Sequence, residues 1–271
     1  MQLLWDTHMH SDFSGDATIS AEEMIAVAKQ SSLAGITFTD HLDWDYQEDP
    51  GFFDLDADSY CSKILSLIDA NSTDDFSVLL GIELGLQPHL ASSYQELLEQ
   101  YPFDYVIGST HVIHGEDPYY PKYFSTRDEK SAFTEYYEMI LENIQSFDNF
   151  DSLGHLDYCF RYGPYAGPSM DTYTPYREIV DAILSTIIKK DIALEVNTGS
   201  FRCGMTEPNP SVAIIKRYKE LGGKLLTIGS DAHKTEHIGL HFEELPELLA
   251  DCGFKEYHVY KNRVAIPHPL T

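Results

Sequence analysis

Six of the chain's 12 histidines stand in short clusters, most of them with a carboxylate, at the ends of apolar runs rich in β-branched residues. D-T-H-M-H carries His8 and His10, T-D-H carries Asp40 and His41, and G-I-E-L-G carries Glu83. S-T-H adds His111, G-H-L-D adds His155, and G-S-D-A-H adds Asp231 and His233. Singly each cluster is weak, because alternation along a strand places both imidazoles of H-x-H on one face, where a hydrogen-bonded core histidine is a common outcome. Together they are specific, because burying so many titratable groups without a compensating cation is costly. Imidazole and carboxylate without thiolate suit zinc, manganese or iron rather than copper(I) or an iron–sulfur cluster, and calcium would want mostly oxygen. These nine donors exceed the needs of one ion or of two tetrahedral ions, so a polynuclear cluster with a bridging carboxylate is expected. Such a cluster polarises a phosphoryl oxygen and brings the pKa of bound water towards neutrality, yielding a hydroxide nucleophile.

Elements able to gather these groups are visible in the hydrophobic pattern. Strands are predicted at 3–7, 36–39, 78–82, 105–108, 152–154, 193–196, 225–229 and 257–260. Helices are predicted at 21–31, 58–71, 130–145, 175–190 and 210–221. Ser20 and Glu23 form a capping box, and Pro175 and Pro210 suit helix starts. Strand and helix alternating from end to end imply parallel β/α units, and seven or eight of them are the size of a β/α barrel. An open doubly wound sheet is the competing α/β fold. All the metal-capable clusters end strands, and in a barrel those ends form one crown at the catalytic face. The irregular stretches 42–56, 115–128, 160–174 and 198–209 also follow strands, so they should rise from the same rim.

Composition narrows the partners. With 44 acidic and 18 basic side chains the formal net charge is −26, which removes the positive field needed for nucleic acid or an anionic membrane and favours a small ligand. The four cysteines, Cys61, Cys159, Cys203 and Cys252, form no C-x-x-C pair, which fits a reducing cytoplasm. Residues 1–5 carry no basic leader, and no apolar stretch approaches membrane-spanning length, so a soluble, unprocessed chain is expected. No linker or repeat divides residues 1–271, which are expected to form a single domain.

The ordered set H-M-H, T-D-H, G-I-E-L-G, S-T-H, G-H-L-D and S-D-A-H, from Thr7 to His233, resembles the PHP (polymerase and histidinol phosphatase) superfamily. Chain length, the S-T-H-x-x-H-G segment and the long loops are similar to its histidinol-phosphate phosphatase branch. The resemblance implies a distorted (β/α)7 TIM-like barrel with a trinuclear divalent metal centre of zinc, manganese or iron. It implies that His8, His10, Glu83 and Asp231 hold one ion, that Glu83 bridges to a second held with His111 and His155, and that His41 and His233 hold the third. The family's remaining third-site ligand falls here on Asp16, where several relatives carry histidine. Glu195 and Asn197 are expected behind the ligands or against substrate.

The branch implies hydrolysis of L-histidinol phosphate, a step of histidine biosynthesis. A phosphate dianion needs cations beyond the metals, and Arg161 and Arg202 lie in loops that should reach the crown, with Lys234 and His237 as weaker candidates. Glu116 and acids of the 42–56 loop are candidates for the substrate ammonium, and rings of that loop, Tyr158 or Phe160 for its imidazole. Hydroxide would attack phosphorus in line, with Asp231 and His233 at the reacting centre and Asp40 or Asp157, or a water on the third ion, protonating the leaving alkoxide. Rival functions are a 3′ exonuclease or another phosphoesterase, a metal-dependent amidohydrolase, and a non-catalytic metal-binding subunit. Oligomeric state is not legible.

Overall fold

Seven parallel staves enclose a common interior in the computed structural model, which describes residues 4–167 and 170–270. Leu3, expected to open the first strand, and Pro168 and Ser169 of the third loop lie outside the described residues. The staves are β1 (Leu4–Met9), β2 (Leu33–Phe38) continued by β3 (His41–Leu42), β4 (Ser77–Gly85), β5 (Tyr105–Ser109), β6 (Ser152–Leu153), β7 (Ala193–Asn197) and β8 (Leu226–Gly229). Neighbours pair in chain order, and β2 and β3 both lie against β4, where His41 is in register with Glu83. Strands covered on both faces read as near-continuous apolar runs, which is why seven of them were legible.

The ring closes at its carboxyl end. Asp231 N donates to His8 O and His10 N to Ala232 O, each at 2.8 Å. No regular ladder joins β1 to β8 among the described residues; side chains take over part of the seam. Buried Asp6 accepts from Ser230 N at 2.9 Å, Ser230 Oγ at 2.5 Å and Gly239 N at 3.0 Å.

Helices α1 (Ala21–Ala28), α2 (Ala57–Asn71), α3 (Ala91–Gln100), α4 (Pro121–Ser125), α5 (Glu129–Ser146), α6 (Arg177–Lys189), α7 (Val212–Glu220) and α8 (Leu245–Asp251) connect and cover the staves. The Ser20 hydroxyl accepts from Glu23 N, as its capping pattern predicts. The 175–190 segment begins as a 3₁₀ turn at Thr174–Tyr176 before α6.

The 257–260 run is not an eighth β/α stave. It belongs to β9 (Glu256–Lys261), which pairs antiparallel with β10 (Val264–Pro269) through a tight turn at Asn262 and Arg263, with φ of 50° and 63°. This hairpin covers the amino-terminal end of the barrel. Tyr257 Oη accepts from Trp5 N, Tyr260 stacks on Tyr105, and Arg263 Nε donates to Asp151. All four cysteines are unpaired, and no described helix is long and apolar enough to cross a membrane.

Candidate functional site

Glu83 occupies the middle of the carboxyl-end crown, fully buried, with five imidazoles around it. Its Oε2 lies 3.1 Å from His8 Nε2, 3.5 Å from His10 Nε2 and 2.9 Å from His41 Nδ1; its Oε1 lies 3.0 Å from His155 Nε2 and 3.4 Å from His111 Nε2. Asp231 Oδ1 completes the first group at 3.4 Å from His10 and 3.8 Å from His8. Asp16 Oδ2 lies 3.0 Å from His233 Nε2 and 3.8 Å from His41 Nε2. The groups share members: His10 can join His8 and Asp231 or His41 and His233, and His41 can join Glu83 and His111. A tetrahedron with bonds of about 2.0–2.1 Å has edges of about 3.3 Å, so these donor spacings suit zinc-sized ions.

What stands behind the imidazoles fixes which nitrogen faces inward. His8 Nδ1 donates to Glu195 Oε1 at 2.5 Å and His111 Nδ1 to Asp43 Oδ2 at 2.7 Å. His10 Nδ1 donates to Ser14 Oγ at 3.0 Å, and that hydroxyl donates to Asp40 Oδ1 at 2.8 Å. Outer-nitrogen donation of this kind turns each Nε2 inward, where it can serve an ion once any proton it carries is displaced. The Nε2 atoms of His8 and His10 then face one another at 3.1 Å, with Glu83 Oε2 also 3.1 Å from the His8 nitrogen, close enough for one ion to replace the proton that His8 holds there. Among the described residues His155 Nδ1 has no hydrogen-bond partner, while its Nε2 lies 3.0 Å from Glu83 Oε1.

The charges are coupled accordingly. Burial pushes Glu83 up, but His8, His41 and His111 outweigh it and hold the carboxyl well below the usual range; Asp231 is likewise held low by His10, His8, Arg161 and Arg202. His10 is driven well below the ordinary imidazole range by burial and then by His233 and His41. Burial also opposes protonation of His41, but Glu83 and Asp16 raise it to about 9; His8 and His111 move the same way beside their own carboxylates. The crown thus combines carboxylates that stay ionised with imidazoles that hold protons until an ion displaces them.

A cavity of about 530 Å³ opens over the crown. All four long loops contribute to its wall, as expected from their common rim, through Tyr46, Asp117, Arg161 and Arg202 among others. Asp16, His41, His111, His155, Asp231 and His233 reach its surface, whereas His8, His10 and Glu83 lie beneath. Arg161 Nη1 donates to Asp231 Oδ2 at 3.0 Å, and Arg202 Nη2 lies 3.7 Å from the same oxygen.

Several expected residues fall elsewhere. Asp40 is buried behind His10, accepting from Ser11 N, Ser11 Oγ and Ser14 Oγ, and does not line the cavity. In T-D-H, alternation sends Asp40 and His41 to opposite sides. Asp157 is also outside, bound to Asn209 and Ser211 N. Glu116 turns outward to Arg127 at 2.7 Å; its neighbour Asp117 faces the cavity instead, accepting from Tyr46 Oη at 2.8 Å and Tyr119 N at 2.7 Å. Phe160 is stacked on Phe133 in the core, whereas Tyr158 lines the cavity; His237 lines it and Lys234 does not. Sequence reading missed Asp117, and offered Asp43 and Tyr46 only as unnamed acids and rings of the 42–56 loop, without the support of His111 that Asp43 gives.

The PHP domain family matches the chain over residues 6–199. Over 254 residues the chain is 34% identical to the histidinol-phosphatase of Lactococcus lactis subsp. lactis, covering 93% of this chain and 92% of that protein. It is 33% identical over 253 residues to the probable histidinol-phosphatase of Clostridium acetobutylicum, covering 93% and 95%. The crystal structure of the Lactococcus lactis histidinol phosphate phosphatase, complexed with zinc, L-histidinol and phosphate, matches with a TM-score of 0.89 at 31% identity, over 97% of this chain and 98% of that one.

Proposed function

Because the chain belongs to the PHP family, we propose that it is a metal-dependent phosphomonoesterase that hydrolyses L-histidinol phosphate to L-histidinol and phosphate, in histidine biosynthesis. The observation that carries this is a crown of inward-facing imidazole and carboxylate donors sharing one cavity with two arginines. His8, His10, Glu83 and Asp231 would hold one ion, Glu83, His111 and His155 a second, and Asp16, His41 and His233 a third. Once bound, the ions supply charge against the phosphoryl oxygens and a water acidic enough to furnish hydroxide near neutral pH.

The chain's own groups do the remaining work. Arg161 and Arg202 bind the phosphate oxygens, and because they approach from the Asp231 side they draw phosphorus towards the crown. Asp231 and His233 stand between crown and cavity, in reach of both. The leaving alkoxide takes its proton from within the cavity, which Asp40 and Asp157 do not enter. Asp117 receives the substrate ammonium. Burial raises its pKa, and a cation beside it restores the carboxylate that Tyr46 Oη and Tyr119 N already solvate. Tyr158, Tyr162 and Tyr120 offer ring faces and edges to the imidazole. Barrel and hairpin act as a single domain, supported by the Tyr105–Tyr260 stack and the Arg263–Asp151 pair.

The test is phosphate release by the purified, metal-loaded protein across a panel of phosphate monoesters, an oligonucleotide and amides. L-Histidinol phosphate should show the highest kcat/KM. Preference for the oligonucleotide or an amide, or no release at all, would assign the crown to another reaction or to none.

A further inference from the structure

Arg161 reaches the cavity from the loop after β6 with its guanidinium fixed on three sides. Nε donates to Asn209 Oδ1 at 2.6 Å, Nη1 to Asp231 Oδ2 at 3.0 Å and Nη2 to Asn197 Oδ1 at 2.8 Å. A guanidinium carries five N–H groups, so with three engaged here, two on the Nη atoms remain for a ligand.

Asn209 is the member of this arrangement with no other evident task. Its Nδ2 donates to Asp157 Oδ1, and Asp157 Oδ2 accepts from Ser211 N at 3.0 Å, at the N-cap of α7. Its backbone is tied to Asn197 by reciprocal N–H···O bonds of 2.7 and 2.9 Å. Asn197, Asn209 and Asp157 are fully buried, and the Arg161 side chain is 3% exposed. Polarity dictates the residue type. Arginine only donates and an ionised carboxylate only accepts, so the side chain joining them must accept on one edge and donate on the other. An asparagine amide does both and has one orientation that satisfies both neighbours. Asp157 is therefore connected through Asn209 to the arginine, not to the leaving group.

We propose that Asn209, anchored by Asp157, is a positioning residue that holds the Arg161 guanidinium so that its two unengaged N–H groups are offered to the substrate phosphate. The inference rests on Arg161 being a phosphate-binding group, as assigned above. A long side chain ordered before the ligand arrives loses less freedom on binding, and the two donors meet the phosphate already aligned.

The test is calorimetric titration of inorganic phosphate into the metal-loaded full chain, comparing wild type, Arg161→Ala, Asn209→Ala and the double variant. Asn209→Ala should weaken phosphate about tenfold, the scale of one hydrogen bond to a charged group. KM for L-histidinol phosphate should rise by a similar factor, with kcat changed by less than about threefold. The double variant should bind phosphate no more weakly than Arg161→Ala alone, because a residue acting only through Arg161 has nothing left to position. A merely structural role would give a loss that adds to that of Arg161→Ala. Asp157→Asn, which preserves volume and weakens the anchor, should move phosphate affinity in the same direction and serves if Asn209→Ala fails to fold. The proposal is overturned if a folded variant with normal metal content keeps phosphate affinity within about twofold of wild type, or if the losses add. Arg161→Ala alone reads the underlying assignment: unchanged phosphate binding there removes Arg161 from the phosphate site, and the role of Asn209 with it.

Discussion

Replacing Glu195 with glutamine tests whether the groups behind the crown set its affinity for ions. Glu195 Oε1 accepts from His8 Nδ1 at 2.5 Å, while Oε2 accepts from His155 N at 2.7 Å and Asn197 Nδ2 at 3.2 Å. All these neighbours donate. In Glu195→Gln one oxygen becomes an NH₂ group, which must face donors in either orientation. Turned towards His155 and Asn197, it removes two hydrogen bonds from buried groups. Turned towards His8, it forces the imidazole proton onto Nε2, the nitrogen that faces His10 and Glu83. Losing one charge-assisted hydrogen bond costs about 1.5–3 kcal/mol, which corresponds to roughly 10–150-fold in affinity for the ion at His8. Substitutions behind metal-bound histidines generally cost about 10–100-fold. Competition against a chromophoric chelator, with metal content after dialysis and near-ultraviolet circular dichroism as a fold control, measures this. A folded Glu195→Gln protein with wild-type affinity for every ion would refute the idea that His8 is oriented through Glu195.

Three other outcomes follow from the same geometry. Asp117→Asn should raise KM for L-histidinol phosphate about tenfold or more while barely changing that for phenyl phosphate, which has no ammonium; equal losses on both would place Asp117 outside ammonium recognition. His41, raised to about 9, together with His8 and His111, holds a proton in the metal-free chain at a pH where a free imidazole has lost it, so ion entry at pH 7.5 must expel protons. Zinc titrations in buffers of different ionisation enthalpy should report net proton release, with affinity climbing as pH rises towards about 9; a heat independent of buffer would contradict this. Gly229→Ala would set a Cβ 2.3 Å from His8 Cβ and 2.7 Å from Glu195 Oε1, so it should lower stability by about 1–3 kcal/mol and reduce bound metal; unchanged thermal unfolding and metal content would show that β8 tolerates the added methyl.

The barrel and its crown were legible because strands covered on both faces read as apolar runs, and each run ends at its metal-capable side chains. Glu83 as the bridge and Asp16 in the third group came from the family resemblance; the fold brings Glu83 among five imidazoles and Asp16 beside His233 and His41. The misreadings have identifiable causes. Residues 257–260 have the pattern of a buried strand, and the hairpin turn that follows uses Asn262 and Arg263 in left-handed backbone without the glycine that usually announces it. Glu116 and Asp117 are adjacent acids of one loop. The bridge between Ile113 and Glu116 and the pull of Arg127 decide which faces out, and neither is visible locally. Asp40 could have been placed by alternation with His41. Asn209 could not, since its meaning depends on Arg161 and Asp157, 48 and 52 residues away.

Anomalous diffraction from crystals grown with manganese or zinc tests the central claim most directly. Three ion peaks should appear, one among His8, His10, Glu83 and Asp231, one among Glu83, His111 and His155, and one among Asp16, His41 and His233, with ligand distances near 2.0–2.3 Å for zinc. A crown without ion peaks, or ions bound away from Glu83, would contradict it.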